Sequence, residues 1–464
     1  MRIAVISVAP VFPNYVIGGS QKILADVAVG LKRSGHDVQI WCTGTAVYSG
    51  DFEINGVTVH PDLKLRGSFP ATHQVSPSQI QRTTAVLRHA ANWADRVYLH
   101  ADAVYLRHAI EGAEIVRSIH DFVYEEALLS TLTLPAKTTI VPSEYLKHCV
   151  EATVALSGRT SIEPVLSVTN GVRIPVGESV PKLPSNVKAR EANDLILLFP
   201  HRPGLTKGTK EAMLTAVEVQ HRLPSRNVRL LMPTYPAGSQ LDDAAGSRDE
   251  ILRTSAELGA RQIVELHGWL SPNEMSGYYA AGDVTLCLGS FVESFGLVAV
   301  ESVVNGTPTV CARVGALRQF DDIDGISTVA YGEIMAAAES VLAAVDLNSV
   351  VLDSGRAQIT DRYDYQQMIN GYESVITGKL SPARSIEVPE GESLLRLAPW
   401  CDIQGDGIYD DYTAMNEPYP NLISALGSGE GSVQVTPSLL SDTLCAEVRQ
   451  AKERGVVIPV FKFE

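Results

Sequence analysis

The sequence predicts an α/β protein of two doubly wound domains that face each other, followed by an acidic C-terminal appendage. Three observations carry this. Short β-branched runs alternate with helical segments in two successive series, a stretch rich in proline and charge (175–192, PVGESVPKLPSNVKAREA) separates the series, and the charge balance changes near residue 385. With 464 residues the chain is long for one hydrophobic core and suits about two to three domains.

The first series runs RIAVISV, a helix near 19–34, HDVQIWC, a helix near 79–92, RVYLH, EIVRSIH and TTIVPS, ending near Asn170-Gly171. The second runs DLILLFP, a helix near 208–222, NVRLLMP, a helix near 248–259, QIVELHG, DVTLCL, a helix opening after Phe295, and TPTVCA. This sets one domain at 1–180 and a second at 190–362. A helix at 363–380 follows and can cross back to the first domain. Two facing sheets of this kind leave a cleft between the carboxyl ends of their strands, where open α/β sheets bind ligands.

Residues 385–464 hold five Lys/Arg against 13 Asp/Glu, a net −8 out of −15 for the whole chain, which marks them as an appended element of unassigned role. The apolar stretches SLLRLAPW and GVVIPVFKF suggest that it packs on the body. Truncation near residue 380 is expected to leave nucleotide binding intact while changing acceptor use or solubility, since every motif below lies upstream. In the appendage, Asp402, Gln404, Asp406, Gly407 and Asp410 fall at positions 1, 3, 5, 6 and 9 of a calcium-loop template, but Thr413 stands where a bidentate glutamate is needed. A solvated acidic turn is the preferred reading.

The charge of −15 without a Lys/Arg cluster argues against nucleic acid and against an anionic membrane as partners. No apolar run approaches the roughly 20 residues of a spanning helix, and the start, MRIAVISVAPVFP, reads as a buried strand, so a cytoplasmic location is expected. The six cysteines show no metal spacing, which leaves reduced, mostly buried thiols and no metal site.

In FVESFGLVAVES (291–302) two carboxylates, Glu293 and Glu301, flank a small turn that opens into an apolar helix. Ser294 is expected to cap that helix, whose first amides suit a phosphate. Carboxylates beside a phosphate make sense if they accept hydrogen bonds from hydroxyls of the same ligand, as in a sugar nucleotide. The alternative for Glu301 is a solvated helix residue. Gly18-Gly19 after the first strand lets backbone approach a phosphate, and Arg202 and Lys207 in FPHRPGLTKG can clamp a diphosphate; a plain turn and exposed loop cations are the alternatives.

Residues 1–378 resemble the retaining glycosyltransferases of family 4, with the two-domain GT-B architecture of facing Rossmann-like domains. The resemblance rests on GGSQKILADVAVGLKRSGHDVQI, IHDF at 119–122, VTNGV at 168–172, RPGLTKG at 202–208 and the stretch LHGWLSPNEMSGYYAAGDVTLCLGSFVESFGLVAVESVVNGTPTVCARVGAL at 266–317. It implies that Glu293 holds donor-sugar hydroxyls and Glu301 the ribose. It also implies that the amides of Phe295, Gly296 and Leu297 meet the sugar and diphosphate. Arg202 and Lys207 match the diphosphate pair, with Gly18 and Gly19 opposite, and Trp269 and Leu270 frame the base. His120 matches the catalytic histidine on the acceptor side, with Asp121 beside it.

The implied reaction is transfer of a sugar, with retention, from a nucleotide-sugar donor to a hydroxyl of a soluble small-molecule or glycan acceptor, with no cofactor or metal. The departing diphosphate itself helps to deprotonate the acceptor. Two departures stand out: His201 replaces a glycine before Arg202, where it can tighten the loop or add a phosphate contact, and Gln319 replaces a glutamate. His100 ends a strand facing the cleft, where it can touch the acceptor or serve as a buried structural histidine. The alternatives to transfer are a relative that cleaves the nucleotide sugar with water or phosphate, and a non-catalytic scaffold subunit. The base, sugar, acceptor and oligomeric state are not set by these residues.

Overall fold

The structure, a computed structural model, describes all residues except 14, 15, 17, 46, 47, 64–75, 101–109, 111, 176, 178, 236–246, 380, 388–393, 429, 430 and 436–440. The motif LDDAAG at 241–246, read from sequence as a helix cap, lies outside the described residues.

The first domain contains β1 (Arg2–Ser7), α1 (Gly19–Arg33), β2 (Asp37–Thr43), β3 (Phe52–Ile54), β4 (Val57–Leu63), α2 (Pro77–Trp93), β5 (Arg96–His100), β6 (Ile115–Ser118), α3 (Glu125–Thr133), β7 (Thr138–Val141), α4 (Glu144–Leu156), β8 (Ser161–Ile162) and β9 (Val165–Ser167). Its eight-stranded sheet has the order β3-β4-β2-β1-β5-β6-β7-β9 and is parallel except for the β3 edge. A continuous apolar run suits a strand covered on both faces. In β1, Ile3 and Val5 enter the core beneath α1, whereas Ala4 and Ile6 enter the opposite core with Leu87 of α2.

The second domain contains β10 (Asp194–Leu198), α5 (Thr209–Arg222), β11 (Asn227–Pro233), α6 (Arg248–Glu257), β12 (Val264–His267), α7 (Met275–Ala280), β13 (Val284–Cys287), α8 (Leu297–Val304), β14 (Thr309–Ala312), β15 (Ile326–Val329), α9 (Ile334–Val345), α10 (Ser349–Arg362) and α11 (Tyr365–Thr377) in chain order. Its sheet, β12-β11-β10-β13-β14-β15, is wholly parallel. Strand order reverses between β1 and β5 in one sheet and between β10 and β13 in the other. Those two points open the ligand crevices of such sheets.

The proline-rich segment after residue 175 is fastened along the second domain, with Lys182 N donating to the Gly277 carbonyl (2.8 Å) and Arg190 paired with Asp283 (2.6 Å). Helix α11 returns to the first domain, where Met368, Ile369, Tyr372 and Ile376 join the core around α1. A Cβ on Gly30 would overlap Ile369, so α1 and α11 touch at that glycine. The two chain crossings lie side by side, with Val172 bridged to Asp364.

The appendage contains β16 (Arg384–Glu387), β17 (Leu394–Leu397), β18 (Cys401–Gln404), β19 (Gly407–Asp410), β20 (Met415–Pro418), α12 (Pro420–Ser428), β21 (Ser432–Gln434), α13 (Asp442–Glu453), β22 (Val457–Pro459) and β23 (Lys462–Phe463). They form small three-stranded sheets, one of which takes in β8 of the first domain. Leu395, Tyr419, Leu422, Leu426 and Ile458 share one core with Ile119, Phe122, Leu146, Val150 and Ile162. The calcium-loop segment is an antiparallel hairpin, β18-β19, which carries Asp402 and Asp410 on separate strands. The preferred reading of a solvated acidic turn is also corrected: Asp402 pairs with Arg313 of the second domain.

No single helix among the described residues is long and apolar enough to cross a membrane. The bent pair α9–α10 passes on length and composition, but its Ala337, Ala338, Val341 and Ile359 are buried in the domain cores. The thiols are free, and all but Cys445 are buried.

Candidate functional site

On the second domain, the loops after β10 and β13 act as one unit. Gly208, at φ +91°, lies so close to Gly289 that a Cβ would stand 2.5 Å from its amide nitrogen, and Phe291 N donates to the Thr206 carbonyl at 2.8 Å. Glycine at both positions lets the two backbones touch. The contact brings Lys207 to Glu293, Nζ to Oε1 2.7 Å, with the ammonium 3.4 Å above the Phe291 ring. Burial opposes the charge on Glu293, but Lys207 outweighs it and holds the carboxyl below the usual glutamate range. This answers the electrostatic objection to a carboxylate beside a phosphate, because its charge is already matched.

Asp121 of the first domain faces the same group. Burial pushes its carboxyl above the usual range, Lys207 and Arg202 oppose this, and Glu293 adds to it. Arg202 and Asp121 thus act electrostatically on the Lys207–Glu293 pair. His201 adds to the field that lowers the Glu293 carboxyl, while its Nε2 lies 3.2 Å from the Leu286 carbonyl and its ring packs edge-on to Phe199, which ties the loop to the end of β13.

The expected cap by Ser294 is not what starts α8. The N-cap is Gly296 in the left-handed region (φ +97°), with no side-chain cap, and a Cβ there would overlap Leu317. The Ser294 carbonyl instead accepts from Ser143 Oγ of α4 at 2.6 Å. The Phe295 side chain is buried edge-on against Phe320 and Tyr363, so only its backbone is left to face a ligand. Gln319 donates to the Phe295 carbonyl (3.2 Å), fixing the turn from below. Leu297 reaches the other domain: a Cβ on Gly19 would lie 3.1 Å from its Cδ1, whereas Gly18 has open space.

Glu301, one turn along α8, is not a solvated helix residue. Tyr279 Oη donates to it at 3.2 Å, and Lys22 Nζ of α1 lies 3.5 Å away. Lys22 also pairs with Asp26 (3.4 Å), which Arg173 grips at 2.6 Å. Burial disfavours the Lys22 charge, yet Glu301 and Asp26 raise its pKa. Trp269 also spans the cleft, with Nε1 donating to the Val16 carbonyl (3.1 Å) and its ring stacked on Tyr235. Leu270 leans instead on the apolar cluster around Tyr278 and Tyr279.

His120 is buried, its Nε2 3.1 Å from Ser118 Oγ, and burial lowers its pKa to about 3. It stacks on His100 at 4.3 Å. His100, expected at the acceptor, spends both ring nitrogens on the protein: Nε2 meets Ser20 and Nδ1 meets Tyr98 Oη at 2.8 Å. A continuous chain results, Ser20–His100–Tyr98–Ser118–His120, tying the Gly18-Gly19 loop to His120.

Sequence reasoning passed over Lys22, Tyr279, Tyr98, Ser118 and Ser143. Lys22 was the most findable, being a lone cation one turn after the glycine pair; Tyr279 and Ser143 have partners 22 and 151 positions away, and Tyr98 and Ser118 alternate with the histidines they bind along buried strands.

Residues 186–348 match the family described as glycosyl transferases group 1. The D-inositol 3-phosphate glycosyltransferase of Corynebacterium diphtheriae is 34% identical over 122 residues, which is 26% of this chain and only 27% of that protein. Among solved structures, sucrose-phosphate synthase from Thermosynechococcus elongatus superposes with a TM-score of 0.64 over 80% of this chain and 96% of its own, at 18% identity. Anabaena HepE, solved with UDP-glucose, gives 0.62 over 81% and 99%, at 17% identity. The chain has the GT-B fold, and its second domain carries the group 1 glycosyltransferase pattern.

Proposed function

We propose that this protein is a retaining glycosyltransferase that moves a sugar from a nucleotide sugar to an acceptor hydroxyl. The observation that carries the reading is the pairing of Lys207 with Glu293 near the uncapped start of α8, whose Leu297 packs on Gly19 of the first domain. A bound diphosphate would draw on Arg202, Lys207 and the α8 amides, which stabilise the charge that develops on the leaving group. Glu293 would then take sugar hydroxyls and Glu301 the ribose. On this reading no metal is needed, because two cations and a helix start supply the positive potential. The UDP-glucose bound by the Anabaena neighbour supports a UDP-sugar as the first donor to try.

The acceptor would enter from the side of Asp121 and His120. His120, held by Ser118 and lowered to about 3 by burial, is a weak base near neutral pH, which suits a mechanism in which the departing diphosphate takes the acceptor proton. Thermal shift with UDP-, GDP-, dTDP- and ADP-sugars, followed by product analysis with and without candidate acceptors, tests the reading. Release of free sugar as the sole product would indicate a nucleotide-sugar-cleaving relative, and the anomeric configuration of a transferred sugar decides retention.

A further inference from the structure

We propose that the C-terminal appendage helps to build the donor site, with Asp411 as the positioning residue that holds the Gly315–Phe320 turn and, through it, Glu293. Asp411 is 2% exposed. Its Oδ1 accepts from Gly315 N at 3.0 Å and pairs with Arg318, and its Oδ2 accepts from Tyr145 Oη of α4 at 2.7 Å. The turn it grips is pressed onto Glu293: Ala316 N donates to the Glu293 carbonyl at 2.8 Å, and a Cβ on Gly315 would stand 2.5 Å from that oxygen. Leu317 of the same turn packs where Gly296 opens α8.

A second pair sits alongside. Arg313, just past β14, donates Nε to Asp402 at 3.1 Å, and Gln404 Nε2 donates to the Arg313 carbonyl at 2.9 Å. Tyr409 closes an apolar contact with Ala312 and Val314. The appendage is anchored to the first domain through its shared core with α4, so these contacts fix the turn of one domain against the body of the other. A buried carboxylate met by three donors is a costly way to stabilise an interface that apolar side chains could fill, and it pays where one geometry is required.

The consequence for catalysis rests on the donor-site reading above, but the positioning itself does not. Hydrogen exchange on the full chain tests the positioning, comparing Asp411→Asn and Tyr145→Phe with Arg384→Gln, which breaks the separate appendage pair with Glu151. Asp411→Asn should speed exchange in peptides covering 291–297 and 313–320 by about tenfold or more, and Tyr145→Phe by a few-fold, with Arg384→Gln leaving both segments unchanged. UDP-glucose turnover by Asp411→Asn should fall in kcat, while the calorimetric affinity for UDP stays within about threefold. Wild-type rates in both segments for Tyr145→Phe, or the same acceleration in Arg384→Gln, would overturn the proposal. If wild-type protein binds neither UDP nor UDP-glucose, the donor reading with those probes fails while the exchange data still decide the positioning.

Discussion

Lys22 of α1 and Glu301 of α8 meet across the cleft at 3.5 Å, so each domain contributes one charge to a pair that neither holds alone. The pair should register in a double-mutant cycle. Lys22→Met and Glu301→Gln are expected to show a coupling of about 1 kcal/mol in thermal or denaturant stability, and additivity would mean that the two side chains do not interact in solution.

The two glutamates separate by ligand. Glu293→Gln removes the partner of Lys207 and so leaves that cation freer for phosphate; affinity for bare UDP should hold or rise while turnover falls sharply. Glu301→Gln should weaken both UDP and the sugar nucleotide by roughly one to two decades, as loss of a hydrogen bond to a charged group implies. Titration calorimetry beside steady-state kinetics distinguishes them, and equal losses of UDP affinity would refute the assignment.

Arg202→Ala and Lys207→Ala should each weaken the nucleoside diphosphate and lower kcat. Lys207→Ala carries a further signature. With its partner gone, burial dominates at Glu293 and its carboxyl pKa rises. If the ionised form is required, the acidic limb of the kcat/KM profile moves to higher pH, which a pH–rate series reads directly.

Acid stability follows from the stacked histidines. His120 titrates near 3 when folded and near the ordinary 6.5 when unfolded, so between those values the unfolded chain binds more protons. Stability therefore rises with pH through this window and is lost as pH falls. His120→Asn should remove up to about 2 kcal/mol of the loss between pH 6.5 and 5, visible as a flatter dependence of urea midpoints on pH.

Truncation at residue 380, expected from sequence to keep nucleotide binding and to change acceptor use or solubility, should give an insoluble or dye-binding protein. It strips Leu395, Tyr419, Leu422 and Ile458 from the core around α4, each apolar side chain being worth about 1.5 to 3 kcal/mol of burial. A soluble truncated chain with a wild-type melting temperature would show that the shared core contributes little.

The sequence by itself determined the two sheets, because short apolar runs such as IAVI at 3–6 and LILL at 195–198 recur between helical segments in the order of βαβ units, which suits strands covered on both faces. It also marked the loops at their carboxyl ends, through Gly18-Gly19, the cations of FPHRPGLTKG and the small turn before α8. Only the tertiary structure decided which side chains meet: Lys207 with Glu293, Lys22 with Glu301, Asp411 with Gly315 and Tyr145. Local periodicity reports how a segment hides its apolar face, and it carries no record of partners that lie 86, 279 or 266 positions apart and are brought together when two domains and an appendage close on one another.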